Sequence, residues 1–185
     1  MTNFTNQTAL ATKRMRELFS ETPLLRNDHL SALYKADIWL KREDLSPVRS
    51  YKLRGAYNAM SKAVDKQIFV CASAGNHAQG VSFVCRHMKK NGVIFMPVTT
   101  PQQKISKTKM FGGEWVEVRL VGDYFDDTLT ASQTYCGEAG GHFLSPFDDL
   151  DVIEGQATVT YEMIDQLGGA PDIFVVPVGG GGLSS

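Results

Sequence analysis

The chain has 185 residues, above the usual size of one compact domain and within reach of a small two-lobed one. Its 19 basic and 20 acidic residues leave a net charge of −1, which argues against a nucleic-acid binder or a protein drawn to an anionic membrane surface. Composition is that of a soluble globular protein, and no apolar run approaches the ~20 residues of a membrane span, so a small-molecule partner is expected.

In chain order, the apolar positions Leu10, Met15, Leu18 and Phe19 predict a helix from Gln7 to Phe19 that Thr22-Pro23 stops. Asp37 to Lys41 alternates like a short strand. Helix-like and β-like runs then take turns. Strands are predicted at Ile68 to Ala72, Val93 to Val98, Trp115 to Leu120, His142 to Leu144 and Ile173 to Val178. Helices are predicted at Lys52 to Val64, His77 to Lys90, Pro101 to Phe111, Tyr124 to Glu138 and Val152 to Leu167. Pro101 suits a first helical turn, and Gly112-Gly113 and Gly168-Gly169 suit helix ends. The alternation implies an α/β fold with parallel sheets and right-handed crossovers. A strand running into Gly179 to Gly182 normally feeds a helix, and none follows before Ser185, so a C-terminally truncated chain is expected.

The cysteines Cys71, Cys85 and Cys136 have neither CxxC spacing nor a clustered histidine, so free thiols in a cytosolic protein are expected, with no metal site. The N-terminus has no signal-like apolar core.

Three motifs carry chemistry. In Ser50-Tyr51-Lys52-Leu53-Arg54-Gly55 a lysine opens a helix, where the dipole favours a free amine suited to an aldehyde cofactor; a solvated surface lysine would read the same way. Ser73-Ala74-Gly75-Asn76-His77 follows a strand and opens a helix, as a carboxylate-binding loop or as a tight turn capped by Asn76. His77 alone reads as a structural histidine, as do His29, His87 and His142. The tetraglycine Gly179 to Gly182 exposes amides that can wrap a phosphate, without the GxGxxG spacing of dinucleotide folds or the lysine of a P-loop. A further stretch, Ser145-Pro146-Phe147-Asp148-Asp149, reads as an acidic turn before a helix.

Taken together, SYKLRGAYNAM, SAGNHAQG, PFDDLDVIEGQAT and VPVGGGGLSS resemble the fold type II (tryptophan synthase β-like) pyridoxal-phosphate enzymes, and among them threonine dehydratase (threonine ammonia-lyase). The resemblance runs from about Glu21 to Ser185. It implies that Lys52 bonds covalently to pyridoxal 5'-phosphate and later moves the substrate Cα proton. It implies further that Asn76 meets the cofactor's phenolic oxygen. Ser73, Ala74, Gly75, Asn76 and His77 would hold the substrate carboxylate, and Gly179, Gly180, Gly181, Gly182 and Leu183 the phosphate. Tyr51 would lie against the cofactor ring where the family commonly has phenylalanine, and Ala157 stands where glycine is usual. Ala74 occupies the position where serine racemases carry a second serine, which favours elimination over racemisation. Two lobes are implied: residues 45–149 form a small α/β lobe inserted in a larger, incomplete cofactor-binding lobe of residues 1–44 and 150–185. The implied activity is conversion of L-threonine to 2-oxobutanoate and ammonia in isoleucine biosynthesis, by a cytoplasmic homo-oligomer that also takes L-serine as a second substrate. A serine dehydratase, a racemase and a catalytically silent fragment are the alternatives.

Overall fold

In the computed structural model, which describes residues 4–185, thirteen helices and strands alternate in the predicted manner. Helix α1 (Phe4–Met15) is followed by a small antiparallel pair, β1 (Leu24–Arg26) and β2 (Trp39–Lys41), linked by α2 (Asp28–Tyr34). Then come α3 (Lys52–Lys62), β3 (Ile68–Ala72), α4 (Asn76–Met88), β4 (Asn91–Met96), α5 (Gln102–Gly112), β5 (Val116–Leu120), α6 (Phe125–Glu138), β6 (His142–Phe143) and α7 (Leu150–Leu167).

The main sheet is parallel throughout, in the order β5-β4-β3-β6. Its central strands β3 and β4 are buried nearly end to end, which explains their continuous apolar sequence. Strands β3, β4 and β5 march in one direction, and the chain then returns through α6 to place β6 on the other side of β3. With right-handed crossovers this reversal puts α4 and α5 on one face and α6 on the other. The reversal also leaves a crevice between the carboxyl ends of β3 and β6, where open α/β sheets bind ligands. That crevice positions everything below.

The principal core gathers Leu53, Met60, Phe69, Val81, Ile94 and Met96 beneath α3 and α4. Helix α3 is wedged tightly against α7. A Cβ on Gly55 would stand 2.3 Å from Gln156 Nε2, and one on Gly155 would stand 2.5 Å from the Arg54 carbonyl oxygen. The glycines in the KLRG and EGQ segments are therefore demanded by helix contact. Asp149 caps α7 by accepting from the Asp151 and Val152 amides at 2.8 and 3.3 Å.

Several expectations need correction. The first helix stops at Met15, the residues after it forming turns up to Leu18, because Arg16 to Leu18 bond back only three residues. Strand β4 begins and ends two residues before the predicted span, in register with β3 from Ile68 opposite Asn91. The helix α2 and strand β1 were not expected at all; Asn27, whose side chain accepts from the Leu30 amide at 2.9 Å, is the cap that signals the helix. Residues 173–178 form no strand. A strand exists only as part of a ladder, and among the described residues none lies beside this segment to pair its backbone. Val175 and Val178 are accordingly 92% and 71% exposed.

The three cysteines are free thiols and all are buried, and burial raises their pKa values, that of Cys85 to about 12. No helix among the described residues is long and apolar enough to cross a membrane.

Candidate active site

Lys52 is the first residue of α3, and the turn before it is fixed by serines. Ser46 Oγ accepts from the Ser50 amide at 2.9 Å and donates to the Ser50 carbonyl at 3.0 Å, while Ser50 Oγ accepts from the Lys52 amide at 3.2 Å. The amine is half-buried, and burial pushes its pKa below the ordinary lysine value. Its Nζ donates to the Pro146 carbonyl at 2.6 Å and lies 5.4 Å from the centre of the Tyr51 ring. An aldehyde arriving here meets an amine with an enlarged neutral fraction, tied down by one replaceable hydrogen bond.

The second motif is the turn from β3 into α4. Ser73 N–H still bonds the sheet, at 3.0 Å from the Phe95 carbonyl, and Ser73 Oγ accepts from Gly75 N–H at 3.2 Å. The amides of Ala74, Asn76 and His77 donate to nothing among the described residues, and a Cβ on Gly75 would meet nothing within 4 Å. Unpaired amides at the N-terminus of a thirteen-residue helix, facing open space, can receive a carboxylate. The Asn76 side chain is exposed and its amide is free to bond a ligand.

His77 is buried beneath that loop, with Nε2 3.0 Å from the Leu144 carbonyl. That acceptor fixes Nε2 as the protonated nitrogen and leaves Nδ1 without a partner among the described residues. Burial, reinforced by the Lys52 charge and opposed by the Leu144 bond, holds its pKa down to about 4. His77 is thus a neutral strut between the two strand ends that border the crevice. The unfolded chain takes up a proton near pH 6.5 that folded His77 refuses until about pH 4, so stability falls as pH drops through that window. His77→Gln should flatten this slope, whose limit is about 1.4 kcal/mol per pH unit, in denaturation curves taken from pH 7 to 4.

The glycine loop packs against Phe147, at the end of the 144–147 segment. The amides of Gly179 to Leu183 donate to no protein acceptor among the described residues, and Ser184 N–H closes the turn on the Gly181 carbonyl at 2.8 Å. Gly181 has φ +89°, a left-handed conformation that a side chain would strain.

Beneath Lys52 lies a cluster that the sequence did not disclose. Arg54, fully buried, grips two carboxylates: Glu162 through Nη1 and Nη2, and Glu43 through Nε and Nη2, each bond 2.8 Å. Thr158 Oγ1 accepts from Nη1 at 3.0 Å, Thr22 Oγ1 shares an Nη2 proton at 3.2 Å, and the Phe19 ring lies 5.1 Å from the guanidinium carbon. Lys41 reaches Glu162 at 2.8 Å, and Arg16 pairs with the same carboxylate. Burial pushes Glu162 up, but Arg54 and Lys41 outweigh it and hold the carboxylate below its ordinary pKa. Five charges, from the turn after α1, from β2, from the turn after it, from α3 and from α7, thereby fix the helix that carries Lys52.

The comparisons with known proteins now bear on this geometry. Residues 15–185 match the family model described as pyridoxal-phosphate dependent enzyme. The chain belongs to this family. Over 178 residues it is 46% identical to the L-threonine dehydratase biosynthetic IlvA of Bacillus subtilis (strain 168), covering 95% of this chain and 42% of that protein. Its fold superposes on the processed form of threonine deaminase isoform 2 from Solanum lycopersicum with a TM-score of 0.85, at 37% identity, covering 97% of this chain and 50% of that one. Maize serine racemase superposes with a TM-score of 0.89, covering 97% of this chain and 54% of that one; at 24% identity this likeness speaks to the fold alone. The chain spans about two fifths of the length of the curated relatives it matches. The α/β, fold type II expectation and the pyridoxal-phosphate expectation both hold.

The residues present fit that cofactor. A half-buried amine can take its aldehyde, and a Cβ-free run of unpaired amides can take its phosphate.

Proposed function

We propose that this chain carries the catalytic lysine and anion-binding loops of a threonine dehydratase, which converts L-threonine to 2-oxobutanoate and ammonia. The observation that carries the reading is the half-buried Lys52 amine, held in a chain 46% identical to a biosynthetic L-threonine dehydratase. In this reading Lys52 would hold the cofactor through its aldehyde and would move the substrate Cα proton. The amides from Ser73 to His77 hold the substrate carboxylate, so that the Cα–H bond faces Lys52 Nζ. Asn76 would bond the cofactor's phenolic oxygen, Tyr51 would lie against its ring, and Gly179 to Leu183 would receive its phosphate. When bound, pyridoxal phosphate supplies the electron sink that stabilises negative charge at Cα. Threonine loses its Cα proton and β-hydroxyl as water, and the resulting enamine takes up water to give 2-oxobutanoate and ammonia.

We also infer a two-lobed arrangement, with residues 45–149 as the small lobe and residues 1–44 and 150–185 in the larger one. Supporting it, the four-stranded sheet lies wholly within residues 68–143, while α1 and α7 pack together outside that span. A role in isoleucine biosynthesis, a cytoplasmic location and a homo-oligomer complete the proposal, resting on the biosynthetic relatives. Turnover of L-serine is the expected side activity.

The racemase alternative is testable on the same sample. Supplied with pyridoxal phosphate, the protein should form 2-oxobutanoate from L-threonine and no D-serine from L-serine, as Ala74 leaves no second hydroxyl in the carboxylate loop. Formation of D-serine without keto acid would replace the dehydratase reading by a racemase.

A further inference from the structure

The segment Leu144 to Phe147 touches all three parts of the site. Leu144 offers its carbonyl to His77, Pro146 offers its carbonyl to Lys52, and Phe147 lies against the glycine loop. A Cβ on Gly180 would stand 2.4 Å from two carbons of the Phe147 ring, and one on Gly182 would stand 2.9 Å from Phe147 Cα. Neither glycine has the positive φ of Gly181, so a side chain is not barred from them by backbone conformation. What bars it is Phe147. The bareness of the loop at these two positions therefore answers to Phe147, through its ring at Gly180 and its backbone and Cβ at Gly182, while the amides of the loop stay unpaired among the described residues.

From this contact we propose that Phe147 is a positioning residue: its ring is the platform that seats the glycine loop at a fixed distance from Lys52, so that one ligand can reach both. The inference rests on the reading of that loop as the phosphate site. The ring is held from both ends of its own turn. Leu144 N–H bonds the Val70 carbonyl at 2.8 Å, Asp148 N–H bonds Ser145 Oγ at 3.0 Å, and Asp149 caps α7. The platform is thus anchored to the sheet and to a helix, whereas the hydrogen bonds of the glycine loop among the described residues are those of its own turn. Since Phe147 is 39% exposed, its truncation leaves the core of the fold intact.

The test compares pyridoxal phosphate with pyridoxal, which has the aldehyde and lacks the phosphate, by spectroscopic titration of the unsubstituted protein, Phe147→Ala, Gly180→Ala and the double variant. The unsubstituted protein should prefer the phosphorylated form. Phe147→Ala should lose about tenfold or more of that preference while binding pyridoxal as before, because a loosened loop no longer meets the phosphate in register. Gly180→Ala should lose a similar factor through overpacking against the ring, and adding Phe147→Ala should restore part of it. A purely structural role for Phe147 would instead weaken both ligands alike. If the unsubstituted protein prefers the phosphate form but Phe147→Ala keeps that preference, or the double variant shows no restoration, the platform role is wrong and the phosphate reading stands. If the unsubstituted protein binds both ligands equally, the phosphate reading falls and the inference falls with it.

Discussion

Lys52→Ala is expected to remove the covalent attachment of pyridoxal phosphate and to lower L-threonine turnover by about 10⁴-fold or more. The amine has two roles in the proposed reaction, holding the cofactor and moving a proton at Cα, and the site offers no substitute. His77 cannot serve, since its Nε2 proton is committed to the Leu144 carbonyl and its pKa lies near 4. The other groups near Nζ are the Pro146 carbonyl and the Tyr51 ring. The fold should survive the change, because Nζ makes one hydrogen bond and sits at the rim of the core. The absorbance of the cofactor-loaded variant, its response to added alkylamine, and 2-oxobutanoate production check this together. Near-normal turnover would remove Lys52 from the mechanism.

Arg54→Ala is expected to destabilise the fold by about 3–5 kcal/mol, a large part of the ~5–15 kcal/mol that holds a domain together. The cost comes from what is left behind. Without the guanidinium, Glu162, fully buried, keeps only Lys41 and Arg16, and Glu43 loses two 2.8 Å bonds. Arg54→Lys should recover little, because an ammonium cannot grip two carboxylates with parallel pairs of donors. Urea unfolding with a circular-dichroism readout measures both. The same network lies two residues beyond Lys52, so Arg54→Lys should also loosen α3 at its N-terminus and slow cofactor attachment before it unfolds the protein. A loss below about 1 kcal/mol would mean that the five-charge cluster contributes no more than a set of exposed pairs.

The elements that define the crevice were legible because they carry local signals. Ser50 and Asn76 stand at helix starts, Gly168 at a helix end with φ +73°, and β3 is a run of five apolar or small residues ending at the Ser73 to His77 turn. The elements that escaped are those whose cause lies elsewhere in the chain. Strand β1 has three residues and buries none of them fully, so no alternation marks it, whereas its partner β2 showed in the alternation of Asp37 to Lys41. The valine-rich run at 173–178 has the composition of a strand, yet ladder partners decide whether it becomes one. Arg54 and Glu162 are 108 positions apart, and nothing local says that a helix-borne arginine will be the most deeply buried charge in the protein. Phe147 was visible as part of an acidic turn; its contact with Gly180, 33 positions later, exists only in the folded chain.

The central claim, that Lys52 is where this chain takes pyridoxal phosphate, is tested most directly by borohydride reduction of the protein mixed with the cofactor, followed by peptide mapping of the modified lysine. The account predicts near-stoichiometric label on the peptide containing Lys52, formed at lower pH than an ordinary lysine requires, since burial depresses this amine. Label scattered over many surface lysines, with Lys52 unmodified, would contradict it.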